Sequence, residues 1–134
     1  MNAAWRAGVA YFAMVFALGF ALGVLRVQVL APALGETAAV AAEVPVMLVA
    51  SWLASRWLVG AFRVSHAAPQ RLAMGGLAFG LLIAAEFALG SLATGRGPAA
   101  QVSAWATAAG AIGLAGQVAF ALIPWLQGVL ARRH

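Results

Sequence analysis

Residues 72–93 read "LAMGGLAFGLLIAAEFALGSLA", an apolar run interrupted by a single charge at Glu86. A bilayer hydrocarbon core of about 30 Å is crossed by about 20 apolar residues in helical form. The run therefore predicts one membrane-spanning helix. Its glycines, at positions 75, 76, 80 and 90, are the small residues that let helix backbones approach closely where lipid surrounds them. Three further runs qualify on the same ground, at roughly 7–30, 45–62 and 104–130. The breaks between them are short and carry turn chemistry: "APALGE" at 31–36, "RVSHAAPQR" at 63–71 and "TGRGPAAQ" at 94–101. The expected fold class is an all-α integral membrane protein, a four-helix transmembrane bundle with short loops, with residues 1–134 forming one domain.

Composition points the same way. Of 134 residues, 65% are hydrophobic and only 8% charged, outside the usual balance of a soluble domain. Every one of the eight basic residues is Arg and all three acids are Glu, for a formal charge of +5. The Arg residues are scattered among apolar runs instead of clustering on a polar face, so nucleic acid is not an expected partner. Without Cys the chain forms no disulfide and carries no thiolate chemistry. The opening "MNAAWRAG" resembles the start of a signal peptide, but the apolar run behind it reaches Leu25 and exceeds a normal signal core. We read it as a retained helix.

Short-loop Arg bias sets the expected orientation. Arg6, Arg63, Arg71, Arg132 and Arg133 fall at the termini and second loop, against Arg96 in the third loop and Arg26 beside the first. Both termini are thus expected on the cytoplasmic side, in a bacterial inner membrane. Trp5, Trp57 and Trp125 would then lie near the inner interface and Trp105 near the outer one.

Glu86 is the most informative residue. It lies 14 positions beyond Leu72, roughly 21 Å along a helix at 1.5 Å per residue, in the outer half of the membrane. An ionised carboxylate in hydrocarbon costs several kcal/mol, roughly, so it should face the bundle interior, a partner or water. Gly75, Phe79, Leu82, Gly90 and Ala93 fall within about 40° of it. Arg26 ends the first run on a stripe with Gly8, Gly19 and Gly23, which suits either an inward ion pair or a side chain reaching back to the interface. Glu43 precedes Pro45, a residue favoured at the start of a helix, so the second helix is expected to begin here with Glu43 as its cap. Glu36, in "LGET", reads as an interfacial cap, and would share a face with Glu43 only if one helix ran unbroken through Pro45.

These placements bring Arg26, Glu43 and Glu86 toward one leaflet, where full ionisation would leave excess negative charge for a proton or cation to balance. The fourth run adds a small, polar seam of Ser103, Ala106, Gly110, Gly113, Gln117, Pro124 and Gly128. Pro124 also removes the donor that would occupy the Phe120 carbonyl. At the cytoplasmic end Arg56, Arg63, His66, Arg71, Arg132 and Arg133 form a basic collar suited to anionic lipid head groups. His66 and His134 are too few and too far apart for a metal site, and no pattern identifies a cofactor.

The first expectation is a small membrane transporter or binder of a cation, proton or amphipathic molecule, with Arg26, Glu43, Glu86 and Gln117 as ligand-binding residues. The alternative is a non-catalytic subunit or scaffold of a larger membrane complex. A membrane enzyme acting on a lipid-like substrate ranks third, because no nucleophile, metal set or phosphate motif is visible, and no catalytic residue is assigned. Membrane lipids are expected partners. Self-association is expected through Gly-bearing faces, from "GFALG" at 19–23 and "GLAFG" at 76–80, both close-packing spacings.

Overall fold

A computed structural model describes residues 2–95 and 97–133, with the side chains of Ala93 and Thr94 outside that description. Arg96 and His134 of the sequence analysis lie outside the described residues. The described chain is all-helical and contains four helices long and apolar enough to cross a membrane. Helix α1 spans Ala3–Leu34, α2 Glu36–Ala61, α3 Ala68–Thr94 and α5 Ala108–Arg132, with the short α4 at Pro98–Ala104 ahead of the last. The outer surface carries large apolar side chains such as Val46, Val49, Leu53, Trp57 and Leu92. Such a surface is compatible with a membrane protein.

Local chemistry explains the boundaries. Asn2 starts α1 by accepting the Trp5 amide at 3.0 Å, as an N-cap does. Near its end α1 widens into a π segment at Arg26–Leu30, where the Ala31 N–H reaches the Arg26 carbonyl. Pro32 follows within a turn, so the ordinary ladder is one donor short in this stretch. Gly35 reverses the chain at φ +86°, a conformation open to a residue without Cβ. Gly95 does the same after α3 at φ +70°. Thr107 caps α5, its hydroxyl accepting the Gly110 N–H at 3.0 Å.

Two expected boundaries need correction. The second helix starts at Glu36, not near Pro45, and runs through that proline without interruption. Pro45 deprives only the Ala41 carbonyl of its helical donor, and both residues lie on the exposed face, so the rest of the ladder holds. Glu43 therefore sits inside a helix and caps nothing, while Glu36 occupies the first turn. The fourth long helix starts at Ala108. Ser103 belongs to α4 and Ala106 to the turn, so the seam retains Gly110, Gly113, Gln117, Pro124 and Gly128. Gly110 carries no Cβ at a point where one would collide with the Ala104 carbonyl.

The four long helices form a ring in the order α1, α2, α5, α3. Its core lies toward the end that holds both described termini: Ala4, Ala7 and Tyr11 of α1, Ala54 and Leu58 of α2, Met74 and Ala78 of α3, and Phe120 of α5. Small residues bring the backbones together there. A Cβ on Gly8 would come 2.8 Å from the Met74 carbonyl, and one on Gly75 would overlap the Ala121 carbonyl. Tyr11 closes the centre, stacking on Phe120 at 4.3 Å between ring centroids and donating its hydroxyl hydrogen to the Phe120 carbonyl at 2.7 Å. That carbonyl is the acceptor that Pro124 leaves without a helical donor. Above Tyr11 the helices enclose a cavity instead of a core.

Candidate functional site

The cavity measures about 720 Å³ and occupies the half of the bundle away from the termini. Glycines on three helices hollow it out: Gly19 and Gly23 on α1, Gly90 on α3, and Gly110, Gly113 and Gly116 on α5. Its floor includes Val15, Ser51 and Phe120, next to the tightly packed end. Gln101 and Trp105, from α4 and the turn behind it, reach its rim. Gly90 leaves room for Gln101, whose Oε1 would lie 3.0 Å from a Cβ at that position. Trp105 is held by a tilted contact with Phe87, 5.9 Å between centroids.

All four site residues expected from sequence line this cavity. Arg26, at the start of the π segment, donates from Nη1 to Glu43 Oε2 at 2.7 Å, with the side chains 29% and 13% exposed. The inward ion pair is thus the conformation adopted; on the α1 stripe Gly8 packs against α3, while Gly19 and Gly23 line the cavity. Glu86 makes a different partnership. Its Oε1 accepts from Gln117 Nε2 across the α3–α5 contact, while Arg26 acts on it through space. The arrangement is two pairs across one cavity, one ionic and one between a carboxyl and a neutral amide.

Two further polar groups were not assigned to this site from sequence. Glu36 also lines the cavity, because the unbroken α2 sets it two turns before Glu43 on nearly the same face. All three acidic residues of the chain therefore border one space. Ser51, 1% exposed, lines the floor, and its Oγ is buried without a hydrogen-bond partner. Gln117 Oε1 is likewise buried without a partner. The available signal was a Ser in an apolar helix, but Ser51 alone does not distinguish a packing group from a cavity group.

No protein-family model, curated protein or solved structure matches this chain. Its function must therefore be argued from the site itself.

At the closed end the basic collar requires a correction. Arg71 is 2% exposed and is not available to head groups. Its Nε donates to the Ser65 carbonyl at 2.9 Å, Nη1 to the Pro124 carbonyl at 3.1 Å, and Nη2 to His66 Nδ1 at 2.9 Å. Gly128 makes room, since a Cβ there would come 3.1 Å from both Arg71 Cγ and the His66 carbonyl. A guanidinium offers five donors and no acceptor, so one side chain ties the α2–α3 loop to α5. A second link runs from Ser55 Oγ to Gln127 Oε1 at 2.7 Å and from Gln127 Nε2 to the Trp52 carbonyl at 2.9 Å. Arg56, Arg63, His66, Arg132 and Arg133 remain exposed, and Arg6 lies 5.3 Å from the centre of the Phe62 ring.

Proposed function

We propose that this chain is an integral membrane protein that binds a small ligand in the hollow half of its bundle, in the service of transport, with both termini in the cytoplasm of a bacterial cell. The observation that carries this reading is the cavity of about 720 Å³ holding two carboxyl-centred pairs among apolar walls. Ligand sites are mostly apolar with a few placed polar groups and span about 300–1,000 Å³. Ionisable groups within membrane-spanning helices are costly and commonly serve a pathway or ligand. Among the described residues, the exposed Arg side chains gather at the opposite end, the pattern expected of cytoplasmic flanks. Anionic lipids are proposed partners of that end.

Self-association, where transport requires it, is assigned to α3. Gly19 and Gly23 face the cavity, whereas a Cβ on Gly76 or Gly80 would meet nothing within 4 Å.

The test uses the absence of native Cys. Gly113→Cys places one thiol in the cavity wall, where a Cβ has ordinary contact with Val40 at 4.0 Å. In dodecyl maltoside micelles a maleimide should label this thiol, and at least one of dodecylamine, dodecanol and dodecanoate should slow the labelling. A cavity thiol that none of the three protects would overturn ligand binding in this space.

A further inference from the structure

We infer that the ligand is an amphipathic organic cation, with its ammonium group held by Glu86 beside the unpartnered Gln117 amide oxygen, and its apolar body along the cavity wall. The inference rests on the cavity reading above and adds the chemical class of the occupant.

Charge is the first ground. Among the described residues, Glu36, Glu43 and Glu86 border the cavity against a single cation, Arg26. Arg26 donates to Glu43 at 2.7 Å, so Glu86 has a neutral amide as its hydrogen-bonding partner. An added cation relieves the imbalance, whereas an added anion increases it.

Hydrogen-bonding capacity is the second, independent ground. Ser51, 1% exposed, and the buried Gln117 Oε1 both line the cavity without a partner. The Gln117 amide already donates to Glu86, so what it presents is an acceptor. Beside the Glu86 carboxylate the Gln117 amide oxygen completes an acceptor pair, the Ser51 hydroxyl at the floor can take either role, and an ammonium brings up to three donors and no acceptor. Leaving such groups unpaired in an apolar space is unfavourable.

The form of the cation follows from what surrounds these groups. Among the described residues, no three His, Cys, Asp or Glu side chains group closely enough to hold a metal ion. Phe16, Phe20, Leu82, Leu89 and Leu114 supply apolar wall, which a bare ion would leave uncovered and a hydrocarbon body would fill. Trp105 at the rim adds an aromatic surface that favours cations. The shared chemistry is an ammonium on an apolar body, which either a free amphipathic amine or an amine-headed lipid supplies.

The same Gly113→Cys protein decides between classes. Dodecylamine is a cation at neutral pH, dodecanol is neutral and dodecanoate is an anion, so the three share a chain and differ in charge. The amine should protect the thiol at a concentration about tenfold or more below the alcohol, as expected of a charge-assisted bond. Glu86→Gln, added to Gly113→Cys, should abolish that preference while alcohol protection remains. Partition into the micelle is common to both proteins, so the difference between them isolates the site. Thermal melting of both proteins checks that the effect is local. Equal protection by amine and alcohol would overturn the inference while sparing the cavity, and so would tighter protection by dodecanoate. A preference that survives Glu86→Gln in a folded protein would also overturn it. Doping the micelles with phosphatidylethanolamine or phosphatidylglycerol separates the sources. Glu86-dependent protection by the former alone assigns a lipid amine, and protection by dodecylamine without it assigns a free one. Glu86-dependent protection by phosphatidylglycerol, which has no amine, would count against the cation.

Discussion

At the scale of single residues, the bundle is organised by what each polar group does in the absence of water. Tyr11 and Pro124 show the logic, because one supplies the donor that the other removes. The Phe120 carbonyl receives the Tyr11 hydroxyl at 2.7 Å, so Tyr11→Phe leaves a buried acceptor unpaired, at a cost of about 1–3 kcal/mol. Pro124→Ala restores an N–H within reach of the same carbonyl. The double variant should therefore lose less stability than the two single changes predict, with a coupling of about 0.5–3 kcal/mol measured by denaturation in detergent. Strict additivity would show that the hydroxyl contributes nothing through that bond. Sequence exposed half of this device: the freed carbonyl follows from Pro124 alone, whereas Tyr11 lies 109 positions away and becomes its donor only when α1 crosses α5. Glu86 and Arg26 were legible for a simpler reason, since a charge in an apolar run has few places to go. Glu36 and Ser51 were not, the first because Pro45 reads locally as a helix start, the second because an isolated hydroxyl is common in membrane helices.

At the scale of elements, the same residue type has opposite effects according to the face it occupies. Gly75 and Gly76 are adjacent in α3, yet a Cβ on the first would overlap the Ala121 carbonyl while one on the second meets nothing within 4 Å. Gly75→Ala should force α3 and α5 apart and destabilise the bundle by about 1–3 kcal/mol. Gly76→Ala should be neutral or stabilising by up to about 1 kcal/mol, the helix-propensity difference between the two residues. Melting temperatures of the two variants check this, and two equal losses would overturn the placement of α3. Gly76→Leu extends the test to the outer face: cross-linking in native membranes should capture self-association in the parent chain and lose it in this variant. Hydrophobic run length located the first and third long helices to within a few residues of the glycines that end them, Gly35 and Gly95. It failed where a proline lies inside a helix, because the missing donor is a local signal and helix continuity depends on the whole ladder.

At the scale of the whole molecule, charge and packing divide the bundle into two ends. One end is tight, with Arg71 locking the α2–α3 loop to α5 and exposed Arg side chains around it. The other is hollow, acidic and lined by glycine. The charge division is visible in sequence as soon as four antiparallel spans are assumed. The cavity is not, since a void belongs to no residue and arises only from the spacing of four helices. For the proposed membrane-spanning bundle, orientation decides which side of the membrane the cavity serves. Ala67, in the loop beside Arg71, and Gly97, beyond the end of α3, are both exposed and mark opposite ends of the bundle. In the Cys-free chain, Ala67→Cys leaves the Arg71 contacts with Ser65, His66 and Pro124 in place, so labelling there reads topology without opening the tight end. An impermeant maleimide should label Gly97→Cys in intact spheroplasts and Ala67→Cys only in inverted vesicles. The positive-inside pattern requires this result, because Arg6, Arg63, Arg132 and Arg133 all lie at the end marked by Ala67. The reverse labelling would place the acidic cavity in the cytoplasmic leaflet, so that a ligand would have to enter it from inside the cell.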